Sequence, residues 1–214
     1  EFGMDPATFE RVEIIRGPAS SIYGDSAFFA VVNVITKSGA SLEGGTVALD
    51  VGSLGTSMVR ASTGHVFDNG LDVAITGTYE QSDGVQRLYF PAFDTPATNH
   101  GVAEGLDDEL ARQVYTRVGW KALTVTAAYG TRRRTVPTAS FGTLFNEQAF
   151  PEQTTDRHTL LDAEYVKLFG DTRLSLRGSY DRFTYDGTYP FDAGPGATAP
   201  QVGINSVHGS RWTA

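Results

Sequence analysis

From residue 41 onward the chain is built of segments of roughly ten residues in which apolar and polar side chains alternate, and that period narrows its fold more than any other feature. In Leu71-Asp-Val-Ala-Ile-Thr-Gly-Thr-Tyr79 the odd positions are apolar or small and the even ones mostly polar. Leu123-Thr-Val-Thr-Ala-Ala-Tyr129 repeats the scheme. Val47, Leu49 and Val51 share one parity against Asp50, and Val114, Val118 and Trp120 oppose Tyr115 and Arg117. Leu161, Ala163 and Tyr165 oppose Asp162 and Glu164; Leu174, Leu176 and Tyr180 oppose Arg173, Ser175 and Arg177. A strand turns successive side chains to opposite faces, so this pattern predicts a sheet with one wet face and one apolar face. No helix-period segment of comparable length follows residue 40.

The connections sharpen that reading. Phe67-Asp-Asn-Gly-Leu71, Trp120-Lys-Ala-Leu123 and Phe169-Gly-Asp-Thr172 are tight hairpin turns. Between them run long polar links over 84–111, 134–156 and 188–209, while the first link, Gly52-Ser-Leu-Gly55, is short. A sandwich has no reason to gather its long loops at one end, whereas an outer-membrane barrel does so, with short turns on one side and long loops on the other. Phe67, Tyr79, Trp120, Tyr129, Phe169 and Tyr185 fall near strand ends, where interfacial aromatic girdles sit.

Composition excludes several alternatives. With 25 Asp and Glu against 17 Lys and Arg, the net charge of -8 leaves no basic stripe for a nucleic-acid partner. The short cluster Arg132-Arg133-Arg134 reads as a solvated or interfacial rim. Cysteine is absent, so there is neither a disulfide framework nor a thiolate metal site. No apolar run is long enough for a membrane helix, and a membrane protein without such helices must be a closed barrel. No basic-then-apolar leader opens the chain, so the signal peptide of an exported protein is expected upstream.

The first forty residues read as strand, short helix, strand. Val12, Ile14 and Ile15 lie in the first strand; Pro18 can open a short helix and Gly24 can close it; Val31-Val32-Asn33-Val34-Ile35 reads as a strand covered on both faces. An ordinary α/β fragment would read the same way. The continuous stretch Glu10-Arg-Val-Glu-Ile-Ile-Arg-Gly-Pro-Ala-Ser-Ser-Ile-Tyr-Gly-Asp-Ser-Ala-Phe-Phe-Ala-Val-Val-Asn-Val-Ile-Thr-Lys37, however, resembles the closing segment of the plug domain of TonB-dependent outer-membrane receptors. Ala30 stands where that family usually has Gly.

The resemblance implies a mainly β chain: the C-terminal strand-helix-strand piece of a plug (1–40), then the first part of an antiparallel transmembrane β-barrel (41–214). About seven or eight strands fit here, against the roughly 22 with which such receptors close around a plug. It implies an outer-membrane receptor of a Gram-negative bacterium that imports a scarce solute, most often a ferric siderophore, with the inner-membrane TonB complex, membrane lipid and the small ligand as partners. No catalysis and no cofactor are implied. The segment that touches TonB is expected before residue 1. A plain outer-membrane barrel, or a structural β-protein without TonB coupling, is the competing class; cobalamin, haem and saccharides are competing cargoes.

By the same resemblance, Glu13 and Arg16 make polar contacts to the barrel wall, and Gly17, Pro18 and Gly24 shape the backbone. Asn33 and Lys37 complete the motif, and Tyr23 is a candidate ligand contact as well as a packing residue. The long link at 84–111 adds Arg87, Tyr89, Phe90 and Phe93, which suit an aromatic ligand or the packing of the loop on itself. Gly24-Asp25-Ser26 lacks the glycine elbow of a hydrolase nucleophile. Asp107-Asp108-Glu109 reads as a solvated acidic run, and His65, His100, His158 and His208 have no metal-ligand spacing.

Overall fold

The computed structural model describes residues 4–17 and 29–213. Its strands, in chain order, are β1 (Phe9–Arg16), β2 (Ala30–Thr36), β3 (Gly44–Val51), β4 (Ser57–Val66), β5 (Leu71–Ser82), β6 (Arg87–Tyr89), β7 (Val102–Glu104), β8 (Glu109–Trp120), β9 (Leu123–Thr135), β10 (Gln153–Phe169), β11 (Thr172–Phe191) and β12 (Gln201–Thr213). Eight of them form one antiparallel sheet in the order β12-β11-β10-β9-β8-β5-β4-β3, while β1 pairs with β2 and β6 with β7. The protein is mainly β. No helix among the described residues is long and apolar enough to cross a membrane.

Each strand of the large sheet pairs with its neighbours in sequence, so successive connections fall at alternate ends. Links 67–70, 121–122 and 170–171 close one end; links 52–56, 83–108, 136–152 and 192–200 gather at the other. The tight turns follow from local chemistry. In Asp68-Asn69-Gly70 the Asn69 side chain accepts from the Leu71 amide at 3.0 Å, and Gly70 takes φ +77°, which a side chain would oppose.

Register decides what the alternation means. Leu71, Trp120, Leu123 and Tyr165 form one row across β5, β8, β9 and β10, and Val73, Val118, Val125 and Ala163 form the next. This apolar face is open: Val51 is 89% exposed and Trp212 77%. Lys121 lies over the Trp120 ring at 4.4 Å and Lys167 over Phe169 at 4.9 Å near the short-turn end, and Arg112 over Tyr79 at 5.7 Å toward the other. The opposite face carries Arg60, Asp72, Thr76, Arg117, Asp162 and Arg177. An apolar island on it, Ala74, Tyr115 and Ala128, is buried, with Met4, Leu42 and Leu160 packed against it.

Three sequence expectations need correction. The last strand does not begin at Ser210: β11 runs on to Phe191 and β12 starts at Gln201, which shrinks the expected 188–209 link to 192–200. The run Val31–Ile35 is not covered on both faces, since β2 pairs only with β1 in a two-stranded ribbon that leaves Val32 55% and Ile14 63% exposed. Finally, Asp107-Asp108-Glu109 is not a free acidic run: Asp107 accepts from the Val85 amide at 2.9 Å, and Glu109 opens β8 in an ion pair with Arg132. The helix expected from Pro18 to Gly24 lies outside the described residues.

Candidate functional site

The N-terminal segment lies against the polar face of the sheet, held by contacts that suit its backbone. Asp5 precedes Pro6, where extended backbone is favoured, and caps the short turn Pro6–Thr8 by accepting from the Ala7 amide at 2.8 Å. Its carboxylate, 4% exposed, also accepts from Arg60 Nε at 2.5 Å and from the Thr78 hydroxyl at 2.6 Å. Burial pushes this carboxyl up, but the hydrogen bonds from Arg60, Thr78 and Ala7 outweigh it and hold Asp5 below the ordinary aspartate range.

A second anchor follows β2. Ser38 and Ser41 form a capping box around the one-turn helix Gly39–Leu42, which sets that turn on β4 and β5. The Gly39 amide donates to Asp72 Oδ1 at 2.6 Å. Glycine is required on both sides: a Cβ on Gly64 would stand 2.6 Å from both Gly39 O and Leu42 Cβ. Tyr115, 2% exposed, donates its hydroxyl to the Lys37 carbonyl at 3.4 Å.

Beyond these anchors, toward the long links, the polar face opens into a cavity of about 370 Å³ lined by Glu80, Glu109, Arg132, Asp156, His158 and Phe183 among others. Part of its charge is paired. Arg132 holds Glu109 through two nitrogens, both at 2.5 Å, and Arg134 reaches the same carboxylate at 3.5 Å. His158 Nε2 lies 2.7 Å from Asp181. The expected basic cluster is thus split by the strand period, with Arg132 and Arg134 on this face and Arg133 on the apolar side. Further out stands an aromatic group: Phe141 meets Tyr189 edge-on at 5.8 Å, and the Tyr185 and Tyr189 hydroxyls are 2.5 Å apart. Polar and aromatic groups side by side on an open concave surface can bind a small solute; nothing here resembles a nucleophile with its base.

The residues singled out from sequence fall in three places. Glu13 bonds within the ribbon, accepting from Arg11 Nε at 2.8 Å and from Asn33 Nδ2 at 3.1 Å, while Arg16 is exposed at the end of β1. The hydrogen bond from Arg11, then that from Asn33, holds the Glu13 carboxyl below its ordinary range. Gly17 has φ +109°, and Pro18, Tyr23 and Gly24 lie outside the described residues. Lys37 meets the sheet through its backbone carbonyl. In the long link, Arg87 pairs with Glu104 at 3.4 Å, and Tyr89 donates to Asp94 at 2.9 Å, which raises the phenol's pKa. Phe93 stacks on Phe145 at 4.4 Å and Phe90 meets the same ring at 5.9 Å, so these aromatics join one long link to the next.

Sequence reasoning missed Asp5, Arg60, Thr78, Tyr115 and the Gly39–Gly64 approach. Only one of them carried a signal: Arg60 is a charged residue inside a strand, at polar parity, and such a group needs a partner.

No family model matches the chain. Curated proteins do. Over 75 residues, 35% of this chain, it is 41% identical to the vitamin B12 transporter BtuB of Vibrio vulnificus, a stretch that is 12% of that protein. Over 80 residues, 37% of the chain, it is 35% identical to the rhizobactin receptor of Rhizobium meliloti, covering 10% of it. A 37-residue stretch, 17% of the chain, is 51% identical to the ferrienterobactin receptor of Escherichia coli, covering 5% of it. The matches therefore span about an eighth or less of the relatives' length. These curated homologues are TonB-dependent receptors.

Proposed function

We propose that this chain is the junction between plug and barrel wall in a TonB-dependent receptor of the outer membrane, with 1–40 as the end of the plug and 41–214 as the first part of the barrel. One observation carries the reading: the segment with the plug-like motif docks on the polar face of an antiparallel sheet whose other face is apolar and uncovered. In a barrel the first face is the lumen and the second meets lipid. Lysines over the Trp120 and Phe169 rings at one end, and Arg112 over Tyr79 at the other, suit the two interfaces of a bilayer. The long links then face the outside, where the solute arrives.

Binding and access, with no covalent chemistry, perform this function. The lumenal groups around Arg132, Glu109 and His158, with Phe141 and Tyr189 above them, receive the solute. The Asp5–Arg60 and Gly39–Asp72 anchors hold the plug to the wall until TonB, acting on a plug segment elsewhere in the receptor, moves it. Tyr23, Arg87, Tyr89, Phe90 and Phe93 remain ligand-contact proposals. The proposed cargo is a ferric siderophore, in line with the rhizobactin and ferrienterobactin receptors. The similarity to the vitamin B12 transporter favours cobalamin as the second reading.

Uptake by cells carrying or lacking the intact gene separates them. Radio-iron presented as ferric enterobactin or as a rhizobactin-type chelate should enter in a gene- and TonB-dependent manner, and the transcript should rise under iron starvation. Gene-dependent uptake of cyanocobalamin alone would replace the iron reading with the cobalamin one. Uptake independent of TonB would overturn the receptor assignment.

A further inference from the structure

The apolar face does not stay apolar along the whole length of its strands. Toward the long-link end of each strand the same outward parity carries Arg112 on β8, directly across from Tyr79, Arg133 on β9, four residues beyond Tyr129, Arg157 on β10, and Arg182 on β11, two residues beyond Tyr180. Register places them together. Arg112 and Arg157 both flank Thr131; Arg133 is two residues beyond Thr131, and Arg182 pairs with Thr159, two residues from Arg157. The diagonal pairs Arg112–Arg133, Arg133–Arg157 and Arg157–Arg182 therefore lie about 8 Å apart on one face, with Arg157 between Arg133 and Arg182. Asp186 is the acid in the patch, and it is bonded to Arg157 and Ser206. Arg133 and Arg182 are exposed, and neither has an acidic partner among the described residues.

Directly below lies a notch in the apolar surface. Ala163 and Gly178 are paired across β10 and β11, and with no larger side chains there the floor drops to the backbone between Val125, Leu161, Tyr180 and Trp212. The notch continues toward the short-turn end past Leu123, Tyr165 and Leu176. A cationic cluster over an aromatic row, with an apolar channel beneath it, matches the two chemistries of a single amphiphile.

We propose that this face holds one phosphate-bearing lipid of the surrounding leaflet, its phosphate among Arg133, Arg157 and Arg182 and one acyl chain in the channel over Ala163 and Gly178. The inference rests on the receptor reading, because it needs the face to meet lipid. Charge complementarity decides the occupant. Exposed arginines at a bilayer interface attract lipid phosphate, and an acyl chain fills a channel that a protein side chain would fill only by displacing that lipid.

The complete receptor, purified in zwitterionic detergent, tests this with a bisphosphorylated lipid A, the same lipid without phosphates, and inorganic phosphate as probes, read by native mass spectrometry and thermal midpoint. The phosphorylated lipid should bind and raise the midpoint. Arg133→Gln with Arg182→Gln should weaken it roughly tenfold or more. Arg117→Gln with Arg177→Gln, the same charge change on the opposite face, should leave it unaltered, and Gly178→Leu should weaken the lipid only. Equal binding in wild type and the Arg133→Gln, Arg182→Gln variant, equal loss in Arg117→Gln with Arg177→Gln, or a shift by inorganic phosphate as large as by the lipid would each overturn the proposal. Failure of the underlying reading has its own signature. Quenching by brominated lipid that Trp120→Phe and Trp212→Phe remove keeps the face in the bilayer even if the lipid site fails; without such quenching both readings fall.

Discussion

The polar face of this sheet is satisfied in two different ways. Over β4, β5 and β8 its groups bond to the N-terminal segment: Arg60 and Thr78 to Asp5, Asp72 to Gly39, Tyr115 to Lys37. Over β10 and β11 the N-terminal segment makes no such bonds, and the charges pair along the ladder, His158 with Asp181 and Arg177 with Asp162 at 2.8 Å. The docked half therefore uses small residues that allow close approach, such as Gly64, Ala74 and Thr78. The other half uses long charged side chains that stay wet. Alternation determines which side chains point to this face; the partner they meet there is a separate matter.

The largest expected effect comes from the buried carboxylate. Asp5→Ala leaves Arg60 without its partner and should lower the protection of the Lys37 and Gly39 amides against hydrogen exchange by about 3 kcal/mol, whereas Asp181→Ala on the wet half should cost less than about 1 kcal/mol. Equal losses would erase the distinction between the halves. Acid removes the same charge gradually. Asp5 is held below the ordinary aspartate value of about 3.9, so its contribution is complete above that pH and is lost as pH falls through the lower folded value. Amide protection followed against pH should decline only under strongly acidic conditions, and Asp5→Asn should abolish that decline.

A smaller effect is expected from packing. Gly64→Ala drives a Cβ against Gly39 O and Leu42 and should cost about 2 kcal/mol of docking. Gly209→Ala, on the same face of β12 with nothing within 4 Å, should change stability by less than about 0.5 kcal/mol. Urea unfolding of the two variants in detergent makes that comparison, and a costlier Gly209→Ala would break it. The smallest is Tyr115→Phe, which removes one long hydrogen bond and keeps the ring; about 0.5–1 kcal/mol is expected in the same exchange measurement.

Much of the sheet was legible because period-2 alternation and tight turns are local signals. β5, β8, β9 and β11 declare their faces from residue type alone, and the turns at 67–70, 121–122 and 170–171 are where the Gly and Asn residues and the short spacing place them. The start of β12 was placed too late for a physical reason. Val202 and Ile204 lie on one face and Val207 on the other, so the strand has no single apolar side to reveal it. The docking site was illegible because its contacts are distant: nothing near Asp5 announces that its partners lie 55 and 73 residues away. Phe90 and Phe93 could be read as ligand contacts or as packing of the loop on itself, and their contacts with Phe145 depend on a second loop whose path no local pattern sets.

The pairing order carries a consequence for how the protein assembles. Apart from the β6-β7 ribbon inserted between β5 and β8, every strand in the sheet pairs only with chain neighbours, so the sheet can grow strand by strand in the order of synthesis, and even its long links add little closure entropy. The N-terminal segment cannot follow that schedule. Its partners are Arg60 on β4, Thr78 on β5 and Tyr115 on β8, the first two 55 and 73 residues from Asp5 and the last 78 from Lys37, so this segment can dock only on strands that follow it in the chain. Residues 4–42 are thus seated only after β4 and β5 have paired, and a defect at Thr78 and Asp72 on β5 should leave a formed sheet with that segment unseated.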